Sequence, residues 1–145
     1  MSSGTKQWLI VLAFFLGFFA FTFLEAAWVN RRVAGGFPRA LLLAFTSNML
    51  TVTVGFSVSL VIFGVIFGLG WDRSLETLEP NMALLWTAFI AAAIFPLGLL
   101  ILAKRLLLRV LKLTGLANPL AYSLVASALF LVSTIGLPIA IAYFL

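Results

Sequence analysis

The chain has 145 residues, 64% of them hydrophobic and 9% charged, with nine Lys and Arg against four Asp and Glu for a net charge of +5. Soluble domains carry about 25% charged residues, so the composition excludes one and predicts an all-α integral membrane protein forming a single transmembrane domain over residues 1–145. Neither Cys nor His is present, which removes disulfides, thiolate metal sites, imidazole-ligated haem or zinc, and histidine general bases. No metal, cofactor or catalytic site is expected.

Residues 1–7 form a short polar tail carrying Lys6, and residues 8–29 are then apolar except for Glu25. The apolar core of a cleaved signal is about 7–15 residues long and ends at small residues. This run is longer and ends at Arg31 and Arg32, so it reads as a retained first transmembrane helix. Its Phe14, Phe15, Phe18, Phe19, Phe21 and Phe23 point all round the helix, so part of it must face lipid. Arg31, Arg32 and Arg39 bracket the breaker sequence Gly35-Gly36-Phe37-Pro38, where the chain reverses.

Residues 40–71 carry no charge. At about 1.5 Å per residue such a helix reaches roughly 48 Å, against a hydrocarbon core of about 30 Å. Its first two turns are therefore assigned to the interface and the second span to residues 44–70, ending at Gly70 and Trp71. On this helix Asn48, Thr51, Gly55 and Ser59 share one stripe, while Gly64 and Gly68 lie opposite. Lipid gives no reason to place small or hydroxyl residues on a surface, whereas a closely packed helix does. The expectation is a long central second helix with neighbours on both faces.

Asp72, Arg73, Glu76 and Glu79 form an acidic connection, and Pro80 suits the first position of the next helix. The third span is assigned to residues 81–102, with a kink expected at Pro96. Beyond it Lys104, Arg105, Arg109 and Lys112 occupy one side of a helical pattern whose apolar residues lie mostly on the other. That is a basic amphipathic extension, lying on the membrane or prolonging the third helix, and suited to anionic lipid headgroups. Gly115 is expected to end it. Asn118 as N-cap and Pro119 at the first position start the fourth helix, residues 120–144, which carries Ser123, Ser127 and Thr134 on one packing face.

The segments around residues 30–39 and 103–115 hold every basic residue except Lys6 and Arg73. By the positive-inside rule both are cytoplasmic in a bacterial inner membrane, with the two termini outside. The basic residues are thus placed for lipid, and no nucleic-acid partner is expected.

Glu25 is the one acid within a span and admits two readings. As a coupling site it would serve a proton or cation; as a structural residue it would pair with Arg32 or Arg39 near the headgroups. The second is preferred. Were Glu25 to lie deeper, Thr22 and Asn48 are its natural partners. The order Glu25, Arg32, Gly36, Phe37 superficially resembles the small multidrug resistance transporters over a short stretch. The longer second helix and the connections at 72–80 and 103–115 have no place in that pattern, and membership is not inferred. The function expected is that of a non-catalytic accessory or scaffold subunit packed among other integral-membrane subunits. The alternative is a small homo-oligomeric ion- or proton-coupled transporter or channel using Glu25.

Overall fold

The computed structural model describes residues 3–77 and 82–144. They are almost entirely helical, in the order α1 (Ser3–Arg32), α2 (Phe37–Leu50), α3 (Phe56–Thr77), α4 (Met82–Val110), α5 (Pro119–Leu131) and α6 (Leu137–Phe144). Single π-helical turns at Thr51–Gly55 and Val132–Gly136 join α2 to α3 and α5 to α6. Four stretches are long and apolar enough to cross a membrane: Gln7–Arg32, Phe37–Ile66, Trp86–Val110 and Pro119–Ile141.

Several boundaries differ from expectation. Gly70 and Trp71 do not end the second helix, since α3 continues to Thr77; an apolar helix propagates through one glycine at a cost of only about 1 kcal/mol. The expected start of the third helix at Glu79-Pro80 lies outside the described residues. Helix α4 runs through Lys104 without a break and stops at Val110, short of the expected end at Gly115. Its end has a local cause. Leu113 N–H donates to the Leu108 carbonyl (3.0 Å) and Lys112 N–H to that of Arg109 (3.1 Å), with Lys112 at φ 53°. This is a Schellman cap in which lysine holds the left-handed position usually given to glycine. Leu108 and Leu113, the apolar pair that accompanies such a cap, are both buried.

The chain divides into two compact units, Met1–Asn48 with Ile101–Leu145, and Met49–Leu100. In the first, α1 lies against α5 and α6, and its core gathers Ala26, Val29, Leu43, Ala44, Leu108, Tyr122 and Ala126. The alanines allow the close backbone approach on which membrane helix packing depends. Phe18 and Phe21 meet the fully buried Phe130 edge-on at 5.9 and 5.7 Å, while Phe15, Phe19 and Phe23 face outward, so the phenylalanines of α1 divide between core and exterior. At the basic end of this unit Ala34 N–H donates to the Thr114 carbonyl at 3.1 Å, bridging the two basic connections. Gly115, at φ +112°, lets the chain pass close to the end of α1: an added Cβ would lie 3.1 Å from the Arg32 carbonyl oxygen.

In the second unit, Gly55 closes the first π turn against Pro96, and a Cβ there would lie 3.2 Å from the proline Cβ. Thr53, Ser57 and Ser59 each donate to a carbonyl of their own helix, at 2.8 Å to Met49, 2.5 Å to Thr53 and 2.8 Å to Gly55. A Cβ at Gly64 or Gly68 would meet nothing within 4 Å.

Candidate functional site

The polar centre of the molecule lies inside the first unit, where α1, α2, α4 and α5 each contribute side chains. Glu25 is at its middle. It stands two turns of α1, about 10 Å, from Arg32 at the helix end, and its side chain is buried. A charge buried without a partner costs several kcal/mol.

The match comes from Lys104, whose Nζ donates to Glu25 Oε1 at 2.5 Å, with the two side chains 0% and 2% exposed. The ammonium has three protons, and each is used: the other two go to Ser47 Oγ and Asn48 Oδ1, both at 3.1 Å. Tyr122 Oη donates to Glu25 Oε1 at 2.5 Å. Asn48 Nδ2 donates to Glu25 Oε2 at 3.2 Å and to Thr22 Oγ1 at 3.1 Å, so the amide orientation follows from its neighbours. Ser47 Oγ donates onward to the Ala44 carbonyl at 3.2 Å. Among the described residues no buried side-chain nitrogen or oxygen lacks a hydrogen-bond partner. The network is neutral in sum.

Two expectations are corrected here. Glu25 does not pair with Arg32 or Arg39: Arg32 is exposed and lies over the Trp28 ring, 5.5 Å from its centroid, and Arg39 is exposed in the first turn of α2. Lys104 is not a headgroup ligand, being fully buried, while Arg105, Arg109 and Lys112 are exposed. The reason is register. Lys104 stands four residues after Leu100 and three, four and seven before Leu107, Leu108 and Leu111, on the inward face, whereas Arg105 and Arg109 project from the other side. That spacing is in the sequence, and grouping Lys104 with the nearby cations obscured it. Tyr122 carried a weaker signal, a phenol in an uncharged span that needs a partner for its hydroxyl.

Of the residues assigned to helix packing, Asn48 belongs to the network, and Thr51, Gly55 and Ser59 are buried. Ser123 and Ser127 are fully buried and donate back to the Pro119 and Ser123 carbonyls. Asn118 caps α5, its Oδ1 accepting from Ala121 N–H at 3.0 Å.

Two hollows lie in the first unit. A cleft of about 660 Å³ between α1 and α5 has Glu25 and Tyr122 in its wall and Trp28, which stacks on Tyr122 at 5.5 Å and 7°, beside them. A second hollow of about 670 Å³ is lined by Arg105, Arg109 and Lys112. Among the described residues no three His, Cys, Asp or Glu side chains gather to hold a metal ion. Comparison with known protein families, with curated proteins and with solved structures finds no match to this chain.

Proposed function

We propose that this chain is a non-catalytic accessory or scaffold subunit, packing with other integral-membrane subunits in a bacterial inner membrane. Its basic connections face the cytoplasm and anionic lipid. The observation that carries this reading is the closed network at Glu25. A coupling carboxylate must exchange its partner for a transported ion in each cycle, yet here the carboxylate holds Lys104, Tyr122 and Asn48 at once. Losing any one of them would strand a buried polar group. Such a network serves to fix four helix segments in register. Further support comes from Gly64 and Gly68, where an added Cβ would meet no described atom within 4 Å, which leaves room for close approach by another helix.

Purification from native membranes in mild detergent, followed by mass spectrometry, is expected to recover stoichiometric larger membrane subunits, and Gly64→Leu is expected to release them while leaving the chain folded. In intact cells an impermeant thiol reagent should fail to label Arg39→Cys. A second reading, a homo-oligomeric transporter using Glu25, rests on the exposure of part of the network to the α1–α5 cleft. Recovery of a homodimer alone, with ion flux lost in Glu25→Gln, would select it.

A further inference from the structure

The two hollows of the first unit adjoin each other. Gly115 and Leu116 line both, so the α1–α5 cleft lies next to the hollow carrying Arg105, Arg109 and Lys112. We propose that together they form one binding site for a single anionic phospholipid of the leaflet on the basic side, its acyl chain in the cleft and its phosphate in the basic hollow.

Chemistry and dimensions agree on this occupant. From Arg32 to Phe21 on α1, and from Asn118 to Leu129 on α5, the cleft follows eleven residues of helix, about 16 Å. Half of a hydrocarbon core of about 30 Å is one leaflet. The cleft thus runs from headgroup level to the depth where a lipid tail ends, walled by Phe21, Leu24, Val125 and Leu129. Glu25 and Tyr122 in its wall are engaged in the buried network. Arg32 and the start of α5 at Asn118 also line the cleft, and the adjoining hollow carries three exposed cations, a set that suits a headgroup of net negative charge better than a zwitterionic one, whose phosphate is offset by its own cation. A partner's apolar helix would fill the cleft but leave that charge unanswered. The proposal extends the anionic-lipid part of the preceding reading and does not require partner subunits, so the purified chain alone can test it.

The delipidated chain in detergent would be titrated with phosphatidylglycerol and with phosphatidylcholine of the same acyl chains, and followed by native mass spectrometry. One phosphatidylglycerol per chain is expected, bound about tenfold more tightly than phosphatidylcholine, because the choline cation of the latter is repelled by the same basic residues. Val125→Trp, which fills the cleft, and the triple variant Arg105→Gln, Arg109→Gln, Lys112→Gln should each weaken binding by about the same factor. Leu124→Trp, on the same helix but outside the cleft, should not. A measurement that needs no cleft variant uses Trp28 as the sole tryptophan: phosphatidylglycerol with brominated chains should quench its emission saturably at one equivalent. Equal binding of the two lipids, unsaturable quenching, equal loss in Leu124→Trp, or a co-purifying helix that blocks lipid uptake would each overturn the proposal.

Discussion

Polar side chains of the same kinds behave differently in the two units. In the second, Thr53, Ser57 and Ser59 bond to carbonyls of their own helix and connect nothing across helices. In the first, Ser47, Asn48 and Tyr122 reach across helices to Glu25 and Lys104, and Asn48 reaches on to Thr22, whereas Ser123 and Ser127, outside that network, bond back within α5. A hydroxyl in an apolar medium takes the nearest acceptor, which is usually the carbonyl one turn back. A buried ion pair offers several strong acceptors and donors at one point and recruits neighbours into a network. One charge of each sign therefore decides whether small polar residues act locally or tie elements together.

Lys104→Met strikes at this difference most directly. It leaves the Glu25 carboxylate buried without its cation and should lower stability by about 3–5 kcal/mol, read from denaturant unfolding in micelles. The double variant Glu25→Gln with Lys104→Met should recover much of that loss, since a neutral pair no longer needs matching; failure to recover would mean that the contacts around the pair, and not its charges, organise the unit. Tyr122→Phe keeps the ring stacked on Trp28 and removes one donor to a charged acceptor, for an expected loss of about 1.5–3 kcal/mol by the same assay.

Lys112→Gly tests the end of α4 that aims Lys104 inward. Relieving a left-handed lysine should raise stability by about 1 kcal/mol, seen as a higher melting temperature; a decrease would show that contacts of this side chain outweigh the backbone cost. The smallest effect belongs to the second unit. Ser57→Ala removes a hydroxyl that serves only its own helix and should change stability by no more than about 0.5 kcal/mol. A loss as large as that of Tyr122→Phe would erase the distinction between the units.

The helical class and the four membrane-crossing stretches were legible in composition and run length, because a bilayer admits only long apolar helices or closed barrels. The cap at Asn118-Pro119 and the reversal near Gly36, at φ +81°, were legible too, since each depends on neighbours in the chain. The π turns were not, although both end on a glycine, Gly55 and Gly136. The partner of Glu25 was also hidden. Nearness in sequence favoured Arg32, seven residues away, yet the cation that meets it comes from 79 residues further along. Sequence by itself determined that a carboxylate in an apolar span must be matched, because an unmatched charge there is too costly to keep. Only the tertiary structure decided that Lys104 matches it, because which face of α4 turns toward α1 depends on how the leucines and alanines of the helices pack.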